Sequence, residues 1–481
     1  MSKNSSVTKP DQAKKNKEFA VVTYSFFLLF FLLVGYFVYF MVFKSETAIN
    51  HPYNKRQESF EKYIVRGSIL SADGKVLAET KKDSEGKDQR IYPYNNLFAH
   101  AIGYSKNGRA GVESIANFQL LRSNSFIAER IMNEVKGEQN LGDTVYTTYL
   151  YDLQKAAYDA LGSYKGAVIA IEPSTGKILA MVSKPDFDPN TIVTDWDRWL
   201  KLDPDESVLI NRATQGSYAP GSVFKISTTT EYLEEHPDDY NDFSYHCNGS
   251  TTVKGNSIQC YDKIKHGDEN LKKAFAQSCN SAFATIGLTL NPTDFTKLCT
   301  KLLFNKKLPT EYPSAKSKFN LDDHSSNASI MEASIGQEKT TVSPLHMALI
   351  SSAIANNGIL METQVIDHTT NAKEVGVKSY DPEEYGRLFS NAQASILQEF
   401  MRETVLTGTA KALKSNQYEA YGKTGSAQVS DSSDATHSWF TGYATDSSNK
   451  TIALAVIVEK SGSGSKFAVP IAKKVFDSYF R

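Results

Sequence analysis

A serine and a lysine one helical turn apart have the clearest capacity for nucleophilic chemistry in this chain. Ser222 and Lys225 follow directly after Pro220-Gly221, and residues three apart lie on one face of a helix. A serine hydroxyl is a poor nucleophile at neutral pH unless a neighbouring base takes its proton. Because proline and glycine are common at helix starts, we place Ser222 in the first turn, where the helix N-terminus favours developing negative charge. Taken alone, the pair also fits an ordinary helix start with a solvated lysine.

Two further motifs follow in an order typical of acyl-transferring serine enzymes. Ser278-Cys279-Asn280 begins 53 residues after Lys225, and Lys423-Thr424-Gly425 begins 143 residues after Asn280. A Ser-x-Asn triplet is very common alone and Lys-Thr-Gly is only moderately rare. Together with Ser222 and Lys225, in this order, they form the Ser-x-x-Lys, Ser-x-Asn and Lys-Thr-Gly set of serine β-lactamases and penicillin-binding proteins. On these motifs the chain resembles the class B penicillin-binding proteins, the monofunctional peptidoglycan D,D-transpeptidases.

The resemblance extends from about Arg66 to the C-terminus. Four stretches resemble, in chain order, the family's segment just outside the membrane, its N-terminal module, the opening of its catalytic domain and its closing strands. These stretches are residues 66–78, 92–113, 166–190 and 422–443.

The resemblance implies a two-step acyl transfer and a role for each motif residue. Ser222 attacks a D-Ala-D-Ala peptide, the terminal D-Ala leaves, and an amine of a neighbouring stem peptide takes the acyl group. Lys225 acts as general base, so its pKa must be lowered by burial or by a nearby cation, for which Lys423 is the candidate. By the same resemblance, Ser278 relays protons to the leaving amine, and Asn280 orients Lys225 and the substrate amide. Lys423 and Thr424 hold the terminal carboxylate, and Gly425 leaves room for an extended peptide beside its strand. The backbone N–H groups of Ser222 and Ser426 form the oxyanion hole.

An apolar stretch near the N-terminus predicts a membrane anchor. Residues 19–43 are 25 consecutive uncharged, mostly apolar residues, and as a helix they would span roughly 37 Å, enough to cross a bilayer. Lysines precede the stretch, so we expect residues 1–18 to be a cytoplasmic tail, 19–43 a single transmembrane helix and the rest to be extracytoplasmic. A cleaved signal peptide is the alternative, but the stretch is long and no small-x-small cleavage site follows it.

The remaining chain divides into a small N-terminal module and a large catalytic domain. We predict a pedestal of the family's dimerisation type over residues 44–150 and a transpeptidase domain over 151–481. Strand patterns occur at 167–172, 177–183, 426–429, 439–444 and 451–459, with helical patterns between them, including 271–290. Strands at both ends of one domain predict an α+β fold in which helices flank an antiparallel sheet, the architecture of serine β-lactamases and D,D-peptidases.

Four cysteines lie in the part expected to be exported, and three of them are close in sequence to a histidine. Cys247, Cys260, His266 and Cys279 have the ligand types of a closed structural zinc site. Some rod-type class B members resemble this, with metal ligands at comparable positions behind the Ser-x-Asn motif. An even cysteine count outside the cell equally predicts a Cys247–Cys260 disulfide, and free buried thiols are a third alternative. No cofactor is expected for the chemistry itself.

Three functions share the catalytic motifs. The first is a peptidoglycan D,D-transpeptidase that is a target of β-lactams and partners a membrane-embedded glycan polymerase. The second is a serine β-lactamase or D,D-carboxypeptidase, which passes the acyl group to water, and the third is a β-lactam sensor. The anchor and pedestal favour the first, and a short cytoplasmic tail leaves no room for a sensor's output domain. The net charge of −1 gives no reason to expect nucleic acid.

Overall fold

The computed structural model describes residues 9–44, 63–430 and 433–481. The chain divides into two compact units, Met1–Ser59 and Phe60–Arg481. In the first, helix α1 (Lys9–Tyr39) continues into a π-helical turn, Phe40–Lys44. Within the described ranges, Lys17–Tyr39 is the one helix long and apolar enough to cross a membrane, and it overlaps most of the predicted span 19–43.

The second unit contains nineteen described strands. They are β1 (Ile64–Val65), β2 (Ile69–Leu70), β3 (Val76–Lys82), β4 (Asp88–Ile91), β5 (Asn140–Leu141), β6 (Thr144–Thr147), β7 (Gly166–Ile171), β8 (Ile178–Lys184), β9 (Ser244–Cys247), β10 (Ser250–Val253), β11 (Asn256–Gln259), β12 (Gly267–Asn270), β13 (Ile359–Met361), β14 (Ile366–Thr370), β15 (Gly376–Ser379), β16 (Glu384–Arg387), β17 (Glu419–Ser430), β18 (Ser433–Thr445) and β19 (Thr451–Val458).

Its described α-helices follow the same order. They are α2 (Ala99–Ile102), α3 (Gly111–Ile115), α4 (Asn117–Leu120), α5 (Ile127–Lys136), α6 (Tyr151–Leu161), α7 (Ile192–Trp199), α8 (Arg212–Gln215), α9 (Lys225–Glu235), α10 (Leu271–Gln277), α11 (Asn280–Gly287), α12 (Pro292–Lys301), α13 (Asn327–Ser334), α14 (Pro344–Ala355), α15 (Asn391–Leu406) and α16 (Ala468–Tyr479).

A five-stranded sheet in the order β17-β18-β19-β7-β8 forms the centre of the catalytic region, and every neighbouring pair in it is antiparallel. Alternate residues of β7 and β19 enter two different cores, because side chains alternate across a strand. One face, with Ile169 and Ala455, packs in the core that includes α14, whereas the other, with Val168 and Val456, packs against α6 and α16. The fold is therefore α+β with an antiparallel sheet flanked by helices, as predicted.

A second sheet joins the two predicted domains. Its six strands follow the order β15-β14-β6-β2-β3-β4, so β14 and β15 from the catalytic part of the chain extend a sheet that begins before residue 150. Backbone hydrogen bonds connect β14 to β6 and β6 to β2, so the sheet is continuous from one predicted domain to the other. The pedestal thus shares backbone hydrogen bonds with the catalytic part and is not an independent body.

The helical pattern predicted over residues 271–290 is broken in the structure. Helix α10 ends at Gln277 and is followed by Ser278, whose φ of +62° is left-handed. Helix α11 starts at Asn280, and the Cys279 side chain caps it by accepting from the Ala282 N–H. A continuous helix was therefore the wrong prediction. The break follows from local geometry, because a left-handed residue stops a helix, and apolar periodicity does not reveal it.

Candidate active site

Ser222 lies on a tight turn packed against the central sheet. It belongs to the 3-10 turn Gly221–Phe224, which leads directly into α9, in agreement with its predicted place at a helix start. Gly221 has φ +53°, and its N–H donates to the Gly336 carbonyl at 2.8 Å. A Cβ on Gly221 would lie 2.8 Å from the Ser426 carbonyl oxygen. The nucleophile turn therefore needs glycine at this position, because of its backbone conformation and its close approach to β17.

The Lys225 amine lies beneath the cleft and is bonded to the Ser-x-Asn loop. Its Nζ donates to the Ser278 carbonyl and to Asn280 Oδ1, both at 2.7 Å, and lies 3.4 Å from Ser278 Oγ. The residue is fully buried, and burial lowers the Lys225 pKa to about 8, although negative charge on Cys279, Cys260 and Glu269 opposes the shift. A substantial fraction of this amine is therefore neutral near physiological pH, as a general base requires.

Lys423 supplies a second buried amine to the same hydroxyl. Its Nζ donates to Ser278 Oγ at 2.8 Å. Burial, and then the charge of Lys225, holds the Lys423 pKa well below its usual range. Of the two predicted causes of a lowered Lys225 pKa, burial and the charge of Lys423, burial is the one that lowers it here. Ser278 Oγ lies between the two amines, so a proton has a hydrogen-bonded path between them through this hydroxyl.

The amide of Asn280 is held from two sides. Its Oδ1 accepts from Lys225, while its Nδ2 donates to the Gln259 carbonyl at 3.0 Å. Gln259 ends β11 immediately before Cys260. Asn280 is thereby fixed in one orientation. The strand that fixes it, β11, lies in the cysteine-bearing region, by which we mean residues 247–279.

Strand β17 carries the third motif along the edge of the central sheet. In the pairing with β18, Lys423 lies opposite Thr441, Thr424 opposite Phe440 and Gly425 opposite Trp439. A Cβ on Gly425 would lie 3.0 Å from the Pro220 carbonyl oxygen and 3.1 Å from Val223 Cγ1. Gly425 thus leaves space for the nucleophile turn, a different reason for glycine here from the room for a peptide that the sequence analysis inferred.

One cleft has most of the predicted residues along its wall. Ser222, Ser278 and Asn280 line it from the helical side, and the β17 residues line it from the sheet. Lys225 and Lys423 contact the Ser-x-Asn loop from below and reach it through Ser278 and Asn280. The β17 residues at the cleft are Thr424, Gly425 and Ser426, and the cysteine-bearing region contributes Cys260 and His266.

Two residues at this cleft were absent from the sequence analysis as functional candidates. Thr409 lines the cleft, and its Oγ1 is hydrogen-bonded to Thr424 Oγ1 at 2.5 Å. Glu338 also lines the cleft, with φ +61°, on a segment that starts from the Gly336 contact with the nucleophile turn. No motif spacing indicates Thr409, because its partner lies on another element.

The three cysteines and the histidine predicted as ligands come together behind the catalytic loop. Their candidate ligand atoms all lie within 4.8 Å of one another. Cys260 Sγ lies 3.7 Å from both Cys247 Sγ and Cys279 Sγ, and His266 Nδ1 lies 3.4 Å from Cys247 Sγ. All four cysteines of the chain are free thiols, so the alternative Cys247–Cys260 disulfide is not formed in this structure. Cys299 lies apart, buried in α12.

Hydrogen bonds favour a thiolate in this group. The hydrogen bond with Cys279 is the main cause that lowers the Cys260 pKa, and the bond to Cys260 raises the His266 pKa to about 9. Backbone N–H groups of Gly249 and Ala282 point at the sulfurs of Cys247 and Cys279, each at 3.4 Å. The contact between Cys260 and Cys279 also raises the Cys279 pKa, so of these two sulfurs Cys260 is the one that favours the thiolate. The thiolate is the form of cysteine that binds metals.

Comparison with known proteins gives a consistent family assignment. Residues 166–477 match the family model of the penicillin binding protein transpeptidase domain, and residues 66–145 match the penicillin binding protein A dimerisation domain. Peptidoglycan D,D-transpeptidase PbpA of Mycolicibacterium smegmatis is 29% identical over 489 residues, which cover 96% of this chain and 98% of that protein.

Solved structures agree with this assignment. The penicillin G acyl-enzyme complex of penicillin-binding protein A from M. tuberculosis is similar with a TM-score of 0.76 at 26% identity, covering 86% of this chain and 99% of that one. A D,D-transpeptidase domain from Eggerthella lenta has a TM-score of 0.76 at 27% identity, covering 86% of this chain and 97% of that one. The transpeptidase match alone spans more than half of the sequence, and this chain belongs to the penicillin-binding protein transpeptidase family as a class B member.

Proposed function

We propose that this chain cross-links peptidoglycan stem peptides through an acyl-enzyme on Ser222 and is acylated there by β-lactams. One observation carries the assignment. A buried amine with a lowered pKa, that of Lys225, lies one helical turn from Ser222 and is held by Ser278 and Asn280. This is the arrangement of nucleophile, base and orienting group that activates a serine.

Each step uses groups with a described position. Ser222 Oγ attacks the carbonyl carbon of the penultimate D-Ala as Lys225 Nζ takes its proton, and the N–H groups of Ser222 and Ser426 stabilise the oxyanion. The amine of the departing D-Ala then receives a proton by way of Ser278 Oγ, which contacts both lysines. A stem-peptide amine attacks the acyl-enzyme by the reverse path. The family needs no cofactor for this chemistry.

Lys423 and Thr424 bind the terminal carboxylate of the substrate in this proposal. An arriving carboxylate favours the charged form of Lys423, because an opposite charge raises the pKa of a buried amine. Thr409 holds the Thr424 hydroxyl through their 2.5 Å hydrogen bond. If Thr409 donates that bond, the Thr424 proton remains available for the carboxylate.

Acylation by penicillin should depend on pH through Lys225. The base is the neutral amine, so the second-order rate constant is expected to rise about tenfold per pH unit below pH 8 and to level off above it. Stopped-flow measurement with a fluorescent penicillin tests this, with the thermal midpoint recorded at each pH to exclude unfolding. A profile that is flat from about pH 6 to about pH 9 would show that Lys225 is not the base.

The acyl-enzyme should persist, which separates a transferase from a hydrolase of the same fold. Glu332 and Glu338 line the cleft, but the proposed mechanism gives neither carboxylate a role in activating water. We expect the penicillin adduct to outlast the assay, and Glu338→Gln to leave its lifetime unchanged. Intact-protein mass spectrometry follows the adduct over time. Rapid penicillin turnover that Glu338→Gln abolishes would establish the β-lactamase alternative instead.

We also propose a structural zinc ion held by Cys247, Cys260, His266 and Cys279. Tetrahedral zinc with Zn–S bonds of about 2.3 Å separates its sulfur ligands by about 3.8 Å. The two short sulfur–sulfur distances here are both 3.7 Å, which fits that geometry. The ion would close the site with four protein ligands and take no part in the acyl transfer.

Membrane attachment and domain limits complete the proposal. The apolar helix Lys17–Tyr39 fits a single-pass anchor, and the lysines before it favour a cytoplasmic N-terminus with the catalytic domain outside. We assign residues 1–18 to the tail, 19–43 to the span, 44–150 to the pedestal and 151–481 to the transpeptidase domain. A glycan polymerase in the same membrane is the proposed partner, since cross-linking needs glycan strands to join.

A further inference from the structure

Helix α5 in the pedestal is amphipathic, but its apolar side faces solvent. None of its residues is buried. Four large apolar side chains along one face are between 56% and 82% exposed, and we call this group the α5 stripe. It consists of Ile127, Ile131, Met132 and Val135. A surface helix of a globular protein normally turns such a stripe towards the core, so the α5 stripe lacks the covering that its composition requires.

The polar side of α5 is the side attached to the protein. Glu129 forms an ion pair with Lys373 at 2.9 Å, and Asn133 Nδ2 donates to Asn140 Oδ1 at 3.0 Å. Glu129 and Asn133 are one turn apart, and at 100° per residue Ile131 lies on the opposite side of the helix. The contacts that hold α5 in place therefore direct its apolar stripe away from the protein.

The α5 stripe lies next to the place where the chain enters the second unit. Tyr63 is the first described residue after the segment 45–62, which follows the apolar N-terminal helix. The Tyr63 carbonyl accepts from the Asn140 N–H, and β1 pairs with β5 directly after α5. Tyr63 and Leu141 are themselves exposed apolar side chains. The exposed apolar surface thus borders the first described residue that follows the apolar N-terminal helix in the sequence.

We propose that the α5 stripe lies on the lipid surface of the membrane that holds the N-terminal helix, a conclusion that rests on the proposed membrane anchor but not on the transpeptidase reaction. An exposed apolar stripe on a helix with a charged opposite side is the pattern of helices that lie in the membrane interface. Glu129, Arg130, Glu134 and Lys136 give α5 no net charge. The attraction is therefore hydrophobic, and it is the same for neutral and anionic lipids.

Photocrosslinking of the full-length chain in its own membranes tests this contact. A benzophenone amino acid replaces Ile131, and in a matched control it replaces Val193, an exposed apolar residue of α7. We expect about tenfold more lipid adduct from position 131 than from position 193, because only α5 contacts acyl chains. Repeating the experiment in nanodiscs of phosphatidylcholine alone, at low and high salt, should give the same ratio.

Every other outcome contradicts the proposal. A protein adduct at position 131 would mean that the stripe is covered by a partner, and a crosslinked dimer would mean a second copy of this chain. Equal lipid adduct at 131 and 193, or none, would show that α5 stays in water. Lipid adduct that disappears at high salt would show electrostatic binding instead. Recovery of the chain outside the membrane fraction would refute the anchor itself, and penicillin labelling at Ser222 reports separately on the proposed reaction.

Discussion

We expect the Ser222→Ala variant to form no covalent adduct with penicillin and the wild-type chain to form one that maps to Ser222. In the proposed mechanism Ser222 alone supplies the attacking oxygen, so no other contact replaces it. Peptide mass spectrometry after incubation with a fluorescent penicillin provides the measurement. Ser217→Ala is the matched control, since Ser217 lines the same cleft, and we expect it to label normally. An adduct retained in Ser222→Ala would refute the assignment of the nucleophile.

The same experiment distinguishes the base from the nucleophile. Lys225→Ala keeps the hydroxyl but removes the amine, so we expect the acylation rate constant to fall by about 10²–10⁴-fold. Because Lys225 is fully buried and bonded to the Ser-x-Asn loop, the thermal midpoint must be measured beside the rate. A Lys225→Ala variant that stays folded and acylates at the wild-type rate would move the role of base to Lys423.

We expect the Cys260→Ser variant to lose the proposed zinc ion and, with it, both stability and acylation rate. Zinc analysis of the wild-type chain purified without chelator should give one ion per chain, and the variant should have none. Loss of a structural metal is one of the few changes that destabilise a protein strongly, and we expect the free energy of unfolding to fall by roughly 4 kcal/mol. The acylation rate constant falls as well, because Cys279 lies between Ser278 and Asn280, and the Gln259 carbonyl holds the Asn280 amide.

Cys299→Ser provides the control for this prediction. Cys299 is an equally buried thiol, but it lies in α12, outside the four-ligand group. Its replacement should retain the zinc and the acylation rate, with only the cost of a polar atom in the core. A wild-type chain without metal in which Cys247 and Cys260 are disulfide-bonded would overturn the zinc site, as would a Cys260→Ser variant that keeps its ion.

Much of the fold follows from local patterns. The strand predictions at 167–172, 177–183 and 451–459 correspond to β7, β8 and β19, because buried β-branched and apolar runs ended by turn residues identify strands. The predictions near 426–429 and 439–444 find only parts of the longer β17 and β18. Small and polar residues such as those of the Lys-Thr-Gly motif give a weak strand signal.

Sequence alone determined the family, the α+β fold class and the motif residues of the candidate site, since motif order and periodicity are properties of the chain itself. Only the tertiary structure decided how these residues meet. Burial of Lys225, the Thr409–Thr424 bond and the space that Gly425 leaves for the nucleophile turn all depend on residues that are distant in sequence. The exposed side of α5 was decided in the same way, because periodicity shows that a helix has an apolar face but not which way the fold turns it.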